Sequence, residues 1–231
     1  MSEYDAFAAV YDDWVGPIGE DDVEFYVSLA AAAEGPVVEL AVGNGRVAVP
    51  IAARTGRRVI GIDVSQAMLD GAAKRARAAG VELELRLGDM RELALEQQTD
   101  LVICPFRSLL HLHGHDERLR VFTRVSDTLV PGGRFAWNAF VFDPQIAAEL
   151  EGKWREQGGV RHRVDYDYEE RRIDLTLEGG PTIPLWWAAP EAWDRLVEES
   201  GLDVEARYGW FDRRPFEETS GEAVYVARKP A

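Results

Sequence analysis

The sequence predicts an α/β fold in which a mostly parallel sheet is followed by a small antiparallel unit. Short apolar segments alternate with helical segments between residues 37 and 141. Strand–helix–strand repeats at this spacing form parallel sheets with right-handed crossovers. Between residues 160 and 177 apolar and polar side chains alternate instead, as they do in an antiparallel hairpin. A further helix and two strands, expected between residues 190 and 228, close the fold.

Two helices are predicted before the first strand. In the first, over residues 3–14, aromatic and small apolar residues recur at helical spacing, namely Tyr4, Phe7, Ala8, Tyr11 and Trp14. The second runs from Val23 to Ala33 and ends at the helix-breaking Glu34-Gly35-Pro36. Residues 1–35 are therefore expected to form a helical N-terminal segment.

Strands and helices alternate in the parallel part of the predicted sheet. The strands are expected at residues 37–42, 58–63, 81–87, 101–104 and 134–141, and the helices at residues 46–54, 66–79 and 116–129. Ser65 and Gly80 have the chemistry of an N-cap and a C-cap for the second of these helices. Pro131-Gly132-Gly133 is predicted to form a tight turn before the fifth strand.

The antiparallel unit is interpreted as a cap inserted after the fifth strand, over residues 150–187. Its hairpin is predicted from the alternation in Val160 to Tyr168 and in Ile173 to Leu177. A separate domain of this size would barely sustain a core, so we expect a single domain over residues 1–231. Residues 211–221 are too polar to be core and are predicted to form a turn-rich connection.

Composition and charge narrow the classes of function. The chain has 231 residues, 46% hydrophobic and 29% charged, which is ordinary for a globular protein. Its formal net charge of 26 − 41 = −15 disfavours nucleic acid and anionic membranes as partners. Cys104 is the single cysteine, and we find neither an N-terminal leader pattern nor an apolar run of about 20 residues. A soluble cytoplasmic protein with a small-molecule partner is expected, and the sequence leaves open whether it forms a homodimer.

A glycine-rich junction between the first strand and its helix is the strongest local signal for a ligand. Gly43 and Gly45 allow a sharp turn and a close approach of a ligand to the main chain, beside the N–H groups of a helix start. Asp63 ends the second strand, 20 residues after Gly43, where a carboxylate can accept hydrogen bonds from ribose hydroxyls. These features fit a nicotinamide dinucleotide and S-adenosylmethionine equally well.

Acidic residues at the strand ends favour S-adenosylmethionine. Glu39 lies inside the first strand, where a buried acid is costly unless a charged or hydrogen-bonding group meets it. The ammonium of the methionine moiety is such a group, whereas a dinucleotide pyrophosphate would be repelled. After the third strand, Asp89 can accept from the adenine amine and Met90 can pack on the ring. Val64 and Met68 are further candidates for packing against adenine, or are simply core.

Five motifs occur in a characteristic order along the chain. They are Glu39-x-Ala-x-Gly43-x-Gly45, Asp63-Val-Ser-x-x-Met68-Leu, Gly88-Asp89-Met90, Leu101 to Cys104, and Leu129-Val-Pro131-Gly132-Gly133. This set resembles the class I S-adenosylmethionine-dependent methyltransferase family of the small-molecule type, well over residues 37–141 and loosely at the end of the chain. The resemblance implies a Rossmann-like sheet of seven strands with helices on both faces and an antiparallel last strand. Ala41 departs from the pattern, because many members carry glycine there.

The resemblance also implies roles for individual residues. S-adenosyl-L-methionine is the expected cofactor and S-adenosyl-L-homocysteine its product. The expected cofactor-binding residues are Tyr11, Glu39, Ala41, Gly43, Gly45, Asp63, Val64, Met68, Asp89, Met90, Cys104 and Pro105. Tyr11 belongs to the aromatic first helix, which resembles a lid that small-molecule members lay over the cofactor. Alternatively, these aromatic residues merely attach the helix to the body of the domain.

The methyl acceptor is expected beyond the fourth strand, where Phe106 and Arg107 are substrate candidates. Arg107 would meet an acidic acceptor, or else form a surface salt bridge. His111 is the candidate general base, needed only where the acceptor loses a proton. The neighbouring histidines match no familiar metal-binding spacing, so no metal is expected. Tyr166 and Trp186 are expected to line the acceptor pocket from the cap, or to hold the cap to the sheet.

The function predicted from the sequence is methyl transfer to a nitrogen or oxygen atom, less favourably carbon, of a small molecule. One alternative is an NAD(P)-dependent oxidoreductase, which Glu39 and the Pro131-Gly132-Gly133 turn disfavour. A second is a non-catalytic S-adenosylmethionine-binding module, which a broken cofactor loop would indicate. The loop, Asp63 and Asp89 are all intact.

Overall fold

The computed structural model describes Tyr4, Ala8, Tyr11, Trp14 and residues 21–231. The four isolated N-terminal residues are helical, whereas Phe7 and the rest of the predicted first helix lie outside the described residues. The helices are α1 (Asp21–Ala32), α2 (Ala48–Thr55), α3 (Gln66–Ala79), α4 (Gly114–Thr128), α5 (Pro144–Leu150) and α6 (Pro190–Glu199). The strands are β1 (Val37–Leu40), β2 (Val59–Asp63), β3 (Glu84–Leu87), β4 (Thr99–Cys104), β5 (Leu129–Phe140), β6 (Arg155–Gln157), β7 (Val160–Asp167), β8 (Arg172–Leu177), β9 (Thr182–Trp186), β10 (Asp203–Tyr208) and β11 (Glu222–Arg228).

The main sheet has seven strands in the order β3-β2-β1-β4-β5-β11-β10. Strands β1 to β5 pair in parallel, while β11 is antiparallel to both β5 and β10. The predicted seven-stranded sheet with an antiparallel last strand is therefore confirmed. Because β1 to β5 run the same way, their carboxyl ends share one edge of the sheet, and ligands bind beyond that edge in open α/β sheets.

Helices cover both faces of this sheet, as predicted, because successive strand residues point to opposite sides. Val38 and Val102 belong to one apolar cluster, which includes Trp193 of α6. Their neighbours Val37 and Leu101 belong to the other, which includes Tyr26 of α1 and helices α2 and α3. In the described part of the chain, no helix has the length and apolar character that crossing a membrane requires.

The proline–glycine sequence before the fifth strand is not the tight turn that was predicted. Pro131, Gly132 and Gly133 lie within β5. Gly132 adopts a φ of 82°, and its N–H donates to the carbonyl of Lys229 at 2.9 Å, while the N–H of Lys229 donates to Gly133 at 2.8 Å. These two bonds to the segment after β11 hold the irregular stretch in the sheet, a long-range contact that local turn chemistry does not reveal.

The predicted cap is a four-stranded antiparallel sheet in the order β6-β7-β8-β9. The predicted hairpin corresponds to β7 and β8. The two outer strands were not predicted, because β6 has only three residues and β9 contains Pro184, which cannot donate a ladder hydrogen bond. Helix α5, also not predicted, begins at Pro144 after the N-cap Asp143, whose side chain accepts from the backbone of Gln145 and Ile146.

The connection between β10 and β11 contributes more to the core than its polarity indicated. Phe211 packs against the apolar cluster that contains Phe25 and Tyr26, and its ring lies 6.0 Å from that of Phe25. Pro215 forms an isolated antiparallel bridge with Tyr208. The expectation that residues 211–221 stay outside the core is therefore wrong for Phe211.

Candidate cofactor and acceptor site

A cavity of about 970 Å³ lies at the carboxyl edge of the main sheet and extends beneath the cap. It is lined by the predicted site residues Tyr11, Ala41, Gly43, Asp63, Val64, Met68, Asp89, Met90, Phe106, Arg107, His111 and Tyr166. The remaining predicted residues do not line it, namely Glu39, Gly45, Cys104, Pro105 and Trp186. A single space thus combines the predicted cofactor residues with most of the predicted acceptor residues.

The glycine loop after β1 depends on left-handed backbone. Ala41, Gly43 and Gly45 have φ values of 52°, 53° and 77°. A β-carbon on Gly45 would meet Ala72 of α3 at 3.2 Å, so glycine is required there for conformation and for close packing. Ala41 adopts its positive φ at a cost of about 1–2 kcal/mol, which glycine would not incur.

Asp63 connects the end of β2 to the glycine loop. One carboxylate oxygen accepts the N–H of Gly43 at 2.8 Å, and the other accepts the N–H of Ser65 at 2.9 Å. Ser65 in turn caps α3 by accepting from the backbone of Met68. These contacts fix the orientation of the carboxylate at the cavity wall.

Glu39 is a buried acid next to the glycine loop. Its side chain is 2% exposed, and its Oε2 has no hydrogen-bond partner among the described residues. Burial raises the pKa of Glu39 well above its usual value, Arg46 opposes the shift, and Asp22 and Asp63 add to it. An orphaned acidic oxygen beside the loop suits a cationic ligand group such as an ammonium.

Arg46, just after the loop, is the centre of an ion-pair network for which the sequence analysis assigned no role. Its two Nη atoms donate to the carboxylate of Asp22 at 2.7 and 2.5 Å, and its guanidinium lies 4.9 Å from the ring centre of Phe106. Burial raises the pKa of Tyr11 to about 12, although Arg46 opposes that rise. The network joins α1 and the N-terminal aromatic residues to the glycine loop.

Asp89 and Met90 follow β3 at the cavity wall. Asp89 caps a short 3₁₀ turn, and its two oxygens accept from the Nε of Arg91 at 3.0 Å each. Burial alone would raise the pKa of Asp89, but the hydrogen bonds from Arg91 outweigh it and the pKa is lowered. Asp89 therefore stays ionised and is available as an acceptor for a ligand amine.

The exit of β4 contains two adjacent residues in the left-handed region, Phe106 and Arg107, with φ values of 56° and 61°. Arg107 is not a free cation for an acidic acceptor. Its Nη2 pairs with the carboxylate of Glu222 at 2.6 Å, and Glu222 is 1% exposed. Cys104 is fully buried in the core below this turn, and burial raises the pKa of its thiol.

His111 lies at the cavity wall where three parts of the chain meet. Its Nδ1 is 3.0 Å from the hydroxyl of Tyr4, and the tautomer of the ring decides which of the two groups donates. The ring also faces the backbone of Pro184 in β9, which opposes the effect of burial on its pKa. Burial lowers the pKa of His111 to about 4, so the ring is neutral at neutral pH.

The other two histidines of this segment point elsewhere. The ring of His113 packs on Trp186 at 5.0 Å, and His115 pairs with Glu199 at 2.8 Å. Among the described residues, no group of three or more His, Cys, Asp or Glu side chains is arranged to hold a metal ion.

The cap forms the far wall of the cavity and contacts the N-terminal residues. The side-chain amide of Gln157 donates to the carbonyl of Trp14 at 2.7 Å, and the Trp14 ring lies 6.1 Å from that of His162. Tyr166 lines the cavity. The prediction for Trp186 is not supported, because its ring packs on His113 outside the cavity lining. Side chains alternate along a strand, and the neighbouring Leu185 faces the cavity instead.

Comparison with known proteins places this architecture in a family. A model described as "Methyltransferase domain" matches residues 37–133. The chain is 28% identical over 216 residues to 27-O-demethylrifamycin SV methyltransferase of Amycolatopsis mediterranei, covering 84% of this chain and 77% of that protein. It is 31% identical over 204 residues to methyltransferase GfsG of Streptomyces halstedii, covering 82% of this chain and 72% of that protein.

The chain belongs to the class I S-adenosylmethionine-dependent methyltransferases. The solved structure of the CcbJ methyltransferase from Streptomyces caelestis superimposes with a TM-score of 0.82 at 29% identity, covering 100% of this chain and 99% of that one. The predicted family and its cofactor, S-adenosylmethionine, are thereby confirmed. Asp63 and Asp89 line the cavity and have the acceptor chemistry that ribose hydroxyls and an adenine amine need, whereas Glu39 lies outside the lining with one oxygen that has no partner among the described residues.

Proposed function

We propose that this methyltransferase transfers the methyl group of S-adenosylmethionine to a nitrogen or oxygen atom of a small molecule bound under the cap, with an uncharged amine as the preferred acceptor. The observation that carries the proposal is one shared cavity, which is lined both by Asp63 and Asp89 and by Tyr4, His111 and Tyr166. Both reactants therefore have room in one enclosed space, which is what an in-line transfer needs.

The cofactor would be held by the carboxyl edge of β1, β2 and β3. Asp63 would accept from the ribose hydroxyls, and Asp89 would accept from the adenine amine, with Val64, Met68 and Met90 packing on the ring. Ala41, Gly43 and Gly45 would form the loop around the methionine moiety, close to Glu39. Tyr11 would cover this moiety. Cys104 and Pro105 would lie near the sulfonium that carries the methyl group. When bound, the cofactor supplies a methyl group from its sulfonium. The rest of the cofactor is then the leaving group, a neutral thioether.

His111 favours an amine acceptor. It lines the cavity together with Tyr4, whose hydroxyl lies 3.0 Å from Nδ1 of the ring. A neutral amine attacks the methyl group through its lone pair and need not lose a proton first. An alcohol would need a base during transfer, and a histidine with a pKa of about 4 is a weak base for that purpose. His111 is thus proposed to hold Tyr4 in the cavity wall rather than to take a proton from the acceptor.

The cap and the N-terminal residues are proposed to close the cavity against water. A small apolar cluster joins Met68 of α3 and Ile183 of the cap to Tyr4, Tyr11 and Trp14. Exclusion of water strengthens the electrostatic contacts in a site and prevents side reactions. The relative named for a demethylrifamycin supports a small-molecule acceptor, and its name keeps oxygen as the second candidate.

A paired acceptor screen tests the proposal. The protein is incubated with S-adenosylmethionine and with amines that are each matched by the corresponding alcohol, and S-adenosylhomocysteine release is measured. The proposal expects turnover with at least one amine above its alcohol partner, and a lower rate for Tyr4→Phe. Turnover of alcohols alone would contradict the preference for nitrogen, and methylation of proteins or nucleic acids alone would contradict a small-molecule acceptor.

A further inference from the structure

The strained turn after β4 requires an explanation beyond the cofactor site. Phe106 and Arg107 both adopt the left-handed backbone, although neither is glycine. In that region the β-carbon crowds the neighbouring carbonyl, so such residues persist only where the surroundings hold them. Both residues line the cavity. The surroundings that hold the turn therefore bear on the site itself.

A buried polar network holds this turn from behind. The Nε of Arg107 donates to Glu222 at 3.1 Å and its Nη2 does so at 2.6 Å. Glu222 also accepts the side-chain amide of Asn138 at 2.7 Å. The other end of that amide accepts the Tyr26 hydroxyl at 3.1 Å and the backbone N–H of Arg107 at 3.4 Å. Both the side chain and the backbone of Arg107 are thus fixed by one buried assembly.

The two partners of the Arg107–Glu222 ion pair differ in burial. Glu222 is 1% exposed, whereas the side chain of Arg107 is 45% exposed. A buried carboxylate is costly unless it is paired and hydrogen-bonded, and Arg107 and Asn138 supply both conditions. Glu222 begins β11 directly after residues 218–221, which line the cavity. The acid thus connects the last strand of the sheet to the exit of β4.

The ring of Phe106 lines the cavity and lies beside Arg46 of the glycine-loop side and two of the N-terminal aromatic residues. The ring centre lies 4.9 Å from the guanidinium carbon of Arg46, on the glycine-loop side. It lies 6.2 Å from Tyr11 and 6.4 Å from Trp14, both in edge-to-face geometry. A change of φ at residues 106 and 107 would redirect this ring and disturb the contacts of Arg46, Tyr11 and Trp14 together.

We infer that Glu222 is a positioning residue for methyl transfer: through Arg107 it holds the left-handed turn that seats Phe106 at the boundary between cofactor and acceptor. This inference rests on the proposed function, because it assigns the two halves of the cavity to the two reactants. Glu222 itself does not touch either reactant in this scheme.

The test uses backbone rescue, with S-adenosylhomocysteine as the probe. In Glu222→Gln the shape and the acceptor for Asn138 are retained but the charge that holds Arg107 is lost, so this variant should bind the probe more weakly than the wild type. Adding Arg107→Ala leaves the strained turn without its clamp, whereas adding Arg107→Gly removes the strain at position 107, because glycine adopts a positive φ freely. We expect the alanine double variant to bind the probe about tenfold more weakly than the glycine one, the equivalent of one left-handed alanine.

Affinities are measured by calorimetry at a temperature where melting curves show every variant folded. Glu205→Gln, which removes a charge from the exposed Arg134–Glu205 pair, serves as the matched control and should bind like the wild type. Equal affinities for the two double variants, or wild-type affinity for both, would overturn this inference while leaving the proposed function intact. Failure of the wild-type protein to bind the probe would overturn both.

Discussion

Replacement of Asp63 by asparagine separates the proposed ligand role of this carboxylate from its structural role. Asp63 already accepts two backbone N–H groups, from Gly43 and Ser65, and is 8% exposed. In Asp63→Asn one oxygen becomes an NH₂ group that faces a backbone donor. A stability loss of about 1–3 kcal/mol is expected from the donor left unsatisfied.

A loss of affinity is expected in addition to this loss of stability. Hydrogen bonds to a charged acceptor contribute about 1.5–3 kcal/mol each, and two ribose hydroxyls are proposed to donate to Asp63. At the lower limit, the sum of about 3 kcal/mol corresponds to a Kd for S-adenosylhomocysteine that is about 100-fold higher. Isothermal titration calorimetry measures the affinity, and chemical denaturation measures the stability.

Asp100 offers a matched control at the opposite end of the sheet. Its carboxylate likewise accepts two backbone N–H groups, from Glu34 at 2.5 Å and from Gly35 at 3.0 Å. It lies near the start of β4 and does not line the cavity. Asp100→Asn should therefore lose similar stability and keep wild-type affinity. Equal affinity losses in the two variants, or none in Asp63→Asn, would refute the proposed role of Asp63.

Three further predictions address the loop and the buried ionisable groups. Gly45→Ala should destabilise the protein by about 1–2 kcal/mol more than Gly56→Ala in denaturation, because the added methyl group overpacks its surroundings. Both glycines have positive φ, but of the two only Gly45 has an atom close to the added carbon, the β-carbon of Ala72 at 3.2 Å. Equal losses would contradict the packing argument. Burial raises the pKa of Glu39 in the ligand-free protein, and a bound ammonium would lower it. Binding of S-adenosylhomocysteine should therefore release a proton. The affinity should rise with pH at values above the ordinary pKa of a glutamate side chain. Calorimetry in buffers of different ionisation enthalpy should show this release in the wild type and not in Glu39→Gln. The folded pKa of His111 is about 4, below its unfolded value, so wild-type stability should fall as pH drops from about 6.5 to about 4. His111→Asn should lose less stability over that window than the wild type, and an identical pH profile would contradict the low pKa.

Local patterns in the sequence predicted the parallel half of the fold and the cofactor edge. The glycine loop and Asp63 are 20 residues apart along two neighbouring parallel strands, so the strand–helix–strand rhythm alone places them at one edge. Caps such as Ser65 and Gly80 are likewise local, and both occur as predicted. The same logic failed for β6, which is too short to show a pattern.

The acceptor half depends on contacts between distant residues, which explains what the sequence did not show. Arg107 and Glu222 are 115 residues apart, so Arg107 resembled a free cation until the fold brought β11 beside β5. Asn138 within an apolar strand was the available signal of a buried network. Side chains alternate between the two faces of a strand, so only one of the neighbours Leu185 and Trp186 can face the cavity. The sequence does not show which of them does, because the register of this strand depends on its pairing.

Calorimetric titration of the wild-type protein with S-adenosylhomocysteine, and with NAD as the comparison, tests the cofactor site most directly. The expected result is saturable binding of the adenosyl amino acid at one site per chain and no binding of the dinucleotide. Binding of NAD, or an absence of heat with S-adenosylhomocysteine even at millimolar concentration, would contradict the assignment of Glu39, Asp63 and Asp89 to a cofactor cradle.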